Sequence, residues 1–266
     1  MLYFLLKNKD KIIHHYDKSL FNDNSNDIEK GNRCFIVATG SSIKNQDLKL
    51  LENEIVIGVS GLYNHADIDI MNPKYYINPP IFKSHSKYNK EENFIDYLND
   101  MDKSLNDDTI MFFDINDKIY IDKYSLFSNK KIIWKNYERW NESDIHNIKL
   151  NALPSIWSVS ESSIQIALYL GFDKIYLIGF DHDWFNGLFN YGFSYEKARK
   201  YFEKDEKKVA KDHNIDSEFQ MIRHAKIFNK YKKLYAFRKN IYNANADQNS
   251  YVDTFPKVKY EDLFKS

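Results

Sequence analysis

The stretch SVSESSIQIALYLGFDKIYLIGFD, Ser158 to Asp181, limits what this chain can fold into more than any other. Ile164, Ala167, Leu168 and Leu170 recur at the spacing of one helical face, Gly171 supplies a left-handed stop, and IYLIGF follows as an unbroken apolar run of strand length. A strand with no polar face must be covered on both sides, which is the condition of a parallel sheet between layers of helices. CFIVATG (residues 34–40) and EIVIGVSG (residues 54–61) have the same character. Between them IKNQDLKLLEN carries Ile43, Leu48, Leu50 and Leu51 as a helical apolar stripe, so the pair reads as a βαβ unit. Further strands are predicted at KYYINPP, TIMFFDI, KKIIWKN and KNIYNAN, with helices around EENFIDYLNDM and over about 217–238. The predicted class is α/β with a mainly parallel sheet.

The polar run FNDNSNDIEKGN sets a boundary near Gly31, with residues 1–30 as an N-terminal extension and 31–266 as the main domain. Residues 184–212 are highly charged and aromatic with few aliphatic side chains, and a connection of that length in a compact domain is expected to be a functional lid. The 38 basic and 38 acidic residues cancel, so the whole-chain field gives no attraction to nucleic acid. Cys34 is the only cysteine and sits inside an apolar run, which fits a structural thiol in a reducing compartment. The opening run LYFLL is too short for a signal-peptide core or a membrane span, so a cytoplasmic location is expected.

Three strand ends carry small or amide side chains: Thr39, Gly40 and Ser42 after the first, Ser60 after the second, Asn78 after the third. Ligands of open parallel sheets bind outside the carboxyl ends of the strands, where backbone N–H groups and hydroxyls can hold phosphate or ribose oxygens. The turn lacks the second and third glycines of a dinucleotide fingerprint and the Gly-Lys-Ser/Thr ending of a P-loop, and the alternative to ligand contact is a plain strand-to-helix turn. The Asp181-His182-Asp183 run could bind Mg²⁺ or Mn²⁺ through its carboxylate oxygens, but successive residues of a strand point to opposite sides, so no metal site is assigned. His213, just before a helix whose start Asp216 can cap, suits proton transfer near neutral pH, or is simply solvated.

FIVATGSSI, IGVSGLY, YYINPPIF, ALYLGFDKIYLIGFD and NGLFNYGF, in this order, resemble the bacterial sialyltransferases of glycosyltransferase family 42 over roughly residues 33–247. The resemblance implies a single Rossmann-like nucleotide-binding domain over 31–266 with a lid near 184–212, and metal-independent, cofactor-free and inverting transfer from CMP-sialic acid, with a histidine as general base. Carried over residue by residue, it places Thr39 (where the family has Asn), Gly40, Ser42, Ser60 and Asn78 around the nucleotide, with Asp181 at the same rim. Ser158 and Ser160 fall where a Thr-Ser-Gly turn touches the nucleotide, Tyr191 at the leaving phosphate and His213 at the base. The family's second phosphate tyrosine falls at Asp183 or Trp184. Expected partners are a nucleotide-sugar donor, a glycan or glycolipid acceptor such as lipooligosaccharide, and further copies of the chain, with peripheral contact at the inner membrane face. ALYLGFDKIYLIGFDH is also similar to proteins near the archaeal hydroxymethylpterin pyrophosphokinases, which implies the alternative of a metal-dependent phosphoryl or pyrophosphoryl transferase.

Overall fold

The computed structural model describes residues 29–80, 91–138, 148–182, 217–245 and 250–265. In chain order the strands are β1 (Arg33–Val37), β2 (Ile55–Val59), β3 (Tyr75–Ile77), β4 (Ile110–Asp114), β5 (Ile132–Lys135), β6 (Tyr137–Glu138), β7 (Leu153–Pro154), β8 (Lys174–Ile178) and β9 (Ile241–Asn243). The helices are α1 (Ile68–Met71), α2 (Glu91–Ser104), α3 (Lys118–Lys123), α4 (Val159–Leu170) and α5 (Ser217–Phe237). Seven strands form one sheet in the order β5-β4-β3-β2-β1-β8-β9, and every pairing in it is parallel. β6 and β7 form a separate parallel pair. The α/β class with a mainly parallel sheet is the observed one.

Alternation along the strands sends side chains into two cores. Cys34 and Ile36 of β1, Ile57 and Val59 of β2, and Ile175 and Leu177 of β8 pack under α4 and α5. Phe35, Val37, Val56, Tyr176 and Ile178 pack on the opposite face with Phe94, Leu98 and Met101 of α2. Each of these side chains is 6% exposed or less, which explains why the strand sequences show no polar face.

The expected helix between β1 and β2 is instead two 3₁₀ turns, Ser41–Asn45 and Leu48–Leu51. Asp47 breaks the run, because its carboxylate accepts a hydrogen bond from Lys49 N at 3.1 Å and starts a new turn. The apolar stripe is kept all the same, with Ile43, Leu48 and Leu51 buried while Leu50 stays exposed. Elsewhere α4 ends as the sequence requires, on Gly171 at φ 86° with its N–H bonded to Ala167 O and Leu168 O. The polar first half of α4 departs from a simple amphipathic pattern, since Ser160, Glu161, Ser162, Ser163 and Gln165 are all buried. Ser162 and Glu161 have partners far away in sequence. Ser162 Oγ bonds the Tyr137 hydroxyl, and Lys230 of α5 lies 3.5 Å from Glu161 Oε1.

Candidate active site at the carboxyl end of the sheet

Strand order reverses at β1, with β2 to β5 on one side and β8 and β9 on the other. A crevice at such a switch point is the usual ligand site of an open α/β sheet. Here the two loops leaving β1 and β8 interlock. Ala38 N donates to Ile178 O at 2.8 Å and Gly40 N to Gly179 O at 3.0 Å. A Cβ on Gly40 would lie 2.4 Å from Gly179 O and 2.6 Å from Asp181 Oδ2, and one on Gly179, whose φ is +70°, would lie 2.4 Å from Ala38 O. Only glycine lets the two backbones approach so closely.

Asp181 closes the junction. Its Oδ2 accepts from Ser42 N at 2.7 Å and from the Ser41 hydroxyl at 3.3 Å, and its Oδ1 accepts from Ser42 Oγ at 2.5 Å. The sequence expectation put both Ser42 and Asp181 on the nucleotide. In the structure they bind each other, at 3% and 5% exposure, so the loop's best anion-binding amide already holds a carboxylate. Thr39, Gly40 and Ser41 remain partly exposed on the rim.

Ser60 and Asn78 follow the neighbouring strands β2 and β3, so the junction, Ser60 and Asn78 share one edge of the sheet. Ser60 is partly exposed, adopts φ 50°, and its carbonyl accepts the Tyr76 hydroxyl at 2.8 Å. Such a left-handed non-glycine residue is strained, and strain of this kind gathers at functional sites. Asn78 is fully buried, with Nδ2 turned to Met101 Sδ at 3.0 Å. Its Oδ1 has no partner among the described residues, and its carbonyl accepts from Lys135 Nζ at 2.6 Å. Asn78 therefore lies at the rim with its side chain turned into the core and its backbone N–H and carbonyl taken by Phe112 O and Lys135 Nζ.

Lys135 is a buried amine at the end of β5. Burial lowers its pKa to about 8 against the opposing pull of Asp114 and Asp117. Below that pH both folded and unfolded chains hold the proton, and the folded state bears the full cost of desolvation. Between about 8 and the ordinary 10.5 the folded chain releases the proton while the unfolded chain keeps it, so stability rises with pH. Chemical denaturation of wild type minus Lys135→Met should show a difference that grows by about 1.4 kcal/mol per pH unit across that window. A flat difference would mean that Lys135 keeps an ordinary pKa.

Ser158 caps α4: its Oγ accepts from Ser160 N at 3.1 Å while Glu161 Oε2 accepts from Ser158 N at 2.8 Å and Trp157 N at 2.7 Å. Burial raises the Glu161 pKa, against the pull of Lys230 and these two N–H groups. Arg223 of α5 binds Trp157 O through Nε at 3.0 Å and Nη2 at 2.9 Å, and Lys230 bonds Ser155 O, so α5 fixes the loop that presents Ser158. The Ser160 hydroxyl contacts Ser158 Oγ and accepts from Tyr231 Oη at 2.6 Å; Tyr231 Oη lies 2.8 Å from His182 Nε2. The His182 ring stands edge-on to His224, with centroids 5.7 Å apart, and beside Phe228.

The structure thus gathers Thr39, Gly40, Ser42, Ser60, Asn78, Ser158, Ser160 and Asp181 at one end of the sheet, with different degrees of access. His213 and Tyr191, and the stretch 184–212 expected to be a lid, lie outside the described residues. Sequence reasoning missed Gly179, Lys135 and Tyr231; of these only Gly179 left a signal, as a glycine interrupting an apolar strand end. Among the described residues no group of three or more His, Cys, Asp or Glu is arranged to hold a metal ion, and no helix is long and apolar enough to cross a membrane.

No family model and no curated protein matches the sequence. Among solved structures the chain is similar to the sialyltransferase CstII from Campylobacter jejuni, described in complex with a substrate analogue, cytidine-5'-monophosphate. The identity is 15%, the match covers 86% of this chain and 85% of that one, and the TM-score is 0.43, a likeness from which nothing about chemistry follows.

Proposed function

We propose that the chain is a nucleotide-sugar-dependent glycosyltransferase that transfers sialic acid from CMP-sialic acid to a hydroxyl of a glycan acceptor. The observation that carries this reading is the hydroxyl-bearing rim at the switch point: Thr39, Gly40 and Ser41 beside Ser60, part-exposed where β1 parts from β2 and β8. Small and hydroxyl-bearing side chains there suit ribose and phosphate oxygens. The ordered sequence motifs that resemble family 42 supply the identity of the donor.

In this reading Thr39, Gly40 and Ser60 line the nucleotide, and Asp181 with Ser42 keeps the rim in shape. Ser158 and Ser160 lie behind the rim at the start of α4. His213 takes the proton of the acceptor hydroxyl as it attacks the anomeric carbon, and Tyr191 donates to the departing CMP phosphate. The linkage is inverted because attack and departure occur on opposite faces of that carbon. The acceptor is a surface glycan or glycolipid such as lipooligosaccharide, reached from the cytoplasmic face. Residues 31–266 act as one catalytic unit, with residues 1–30 an extension to it and 184–212 a lid over the donor.

Incubation with CMP-sialic acid and a galactose-terminated acceptor, with and without EDTA, tests the reading. Release of CMP with formation of a sialylated product, unchanged by EDTA, is expected. Turnover of a different nucleotide substrate that requires Mg²⁺ or Mn²⁺, with none of CMP-sialic acid, would replace it with the phosphoryl-transfer alternative.

A further inference from the structure

His182 is the first residue after the Asp181 clamp, and it is held in an unusual way. Its φ of 51° is a left-handed conformation that a non-glycine residue keeps only when its surroundings impose it. What imposes it here is α5. The ring is packed against His224, Phe228 and Tyr231, all within 5.7 Å between centroids, and Nε2 lies 2.8 Å from Tyr231 Oη.

The direction of the next hydrogen bond decides the proton on that ring. A tyrosine hydroxyl has one proton and two lone pairs. Tyr231 donates its proton to Ser160 Oγ at 2.6 Å, so only a lone pair is left for His182, and Nε2 must be the donor. A neutral imidazole with its proton on Nε2 has a bare lone pair on Nδ1, and that nitrogen has no hydrogen-bond partner among the described residues. Ser160 is itself fixed by Ser158 at the cap of α4. The relay therefore runs from the start of α4 through α5 to the end of β8.

We propose that Ser160 and Tyr231 are positioning residues that hold His182 as the Nε2–H imidazole, and that His182 Nδ1 is a fixed acceptor for a hydroxyl of a sugar or ribose bound beside the Asp181 junction. The second half of this rests on the glycosyltransferase reading above; the first half does not. The charged and titratable groups about the ring are Asp181 before it, His224, Arg223 and Tyr231 from α5, and Ser160 behind Tyr231. Burial first, and then the positive charge of His224 and Arg223, lowers the His182 pKa to about 3, so the ring stays neutral at physiological pH. A neutral ring of that kind accepts a hydrogen bond well and carries protons poorly.

Long-range proton–nitrogen correlation NMR on histidine-labelled protein reads the tautomer directly. For His182 we expect a protonated-type Nε2 and a bare Nδ1, unchanged from pH 7 to pH 5. Ser160→Ala removes the acceptor of the Tyr231 proton; that proton then turns to His182 Nε2, and the ring should invert to the Nδ1–H form. Tyr231→Phe should leave a mixture of the two forms. An Nδ1–H ring or an imidazolium in wild type at pH 6, or a tautomer that ignores Ser160→Ala, overturns the relay. With CMP-sialic acid as substrate, Tyr231→Phe should lower transfer by about tenfold or more, with the variant's fold confirmed by its thermal transition. Loss of the tautomer with full activity rejects the catalytic use of Nδ1. Wild type that has the expected tautomer yet never turns over CMP-sialic acid, and whose Nδ1 resonance is unmoved by CMP, by CMP-sialic acid or by the acceptor, rejects the ligand half and leaves the relay standing.

Discussion

Gly40→Ala should destabilise the protein by roughly 3 kcal/mol or more, at the upper end of what forcing extra atoms into a packed interior costs. Torsion angles are not the reason, since Gly40 has φ −64° and ψ 155°, which alanine adopts freely. The new methyl would meet Gly179 O at 2.4 Å and the Asp181 carboxyl at 2.6 Å and 2.7 Å, and neither can yield cheaply. Gly179 O is backbone on the strand side of the junction, and Asp181 is held by Ser42 N and Ser42 Oγ. Pushing Asp181 aside would strand two buried donors, each lost bond costing about 1–3 kcal/mol. Gly31→Ala is the control. Gly31 has φ +87° but nothing within 4 Å of the added Cβ, so its cost is the left-handed strain alone, about 1–2 kcal/mol. Thermal unfolding should therefore place Gly40→Ala about 6–12 °C below wild type, and below Gly31→Ala. Equal stability of the two alanine variants would mean that the β1 and β8 loops can separate, and that the junction does not shape the rim.

Legibility of the fold followed the range of the interactions involved. The runs at Phe35–Val37, Val56–Val59 and Ile175–Ile178 are buried on both faces, and continuous apolarity is a local property that any reader of the sequence can see. IKNQDLKLLEN, residues 43–53, reads as one helix because its apolar spacing survives in two 3₁₀ turns, and only the Asp47 side chain marks the break. Polar burial along α4 could not be read at all. Ser160 and Ser162 are satisfied by Tyr231 and Tyr137, residues 71 and 25 positions away, and nothing near the serines announces those partners. The same holds at the site. Gly40 and Asp181 were visible as strand-end residues, yet their contact exists only because β8 crosses over to pair with β1. The roles of Ser42 and Asp181 as partners for each other follow from that crossing.

His213→Ala should lower sialyl transfer by about a hundredfold to ten-thousandfold, the usual contribution of a positioned general base. Affinity for CMP should change by less than about tenfold, because a base acts on the acceptor while the proposed nucleotide contacts are Thr39, Gly40 and Ser60. Single-turnover transfer together with CMP titration separates the two quantities. A His213→Ala enzyme that transfers at the wild-type rate would move the base to the histidine pair at the end of β8. Within that pair the chemistry is already divided. His182, with a pKa near 3 and Nε2 committed to Tyr231, is matched to accepting a hydrogen bond and poorly matched to taking a proton at pH 7. His224 would then be the one to remove. It is 2% exposed beneath His182 and Phe228, so to serve as base it would have to gain access to the acceptor when substrate binds. Transfer that survives His213→Ala but is lost in His224→Ala, with CMP binding intact in both, would assign the proton to α5. Loss in His213→Ala alone would leave it with the residue to which the family resemblance assigns the base.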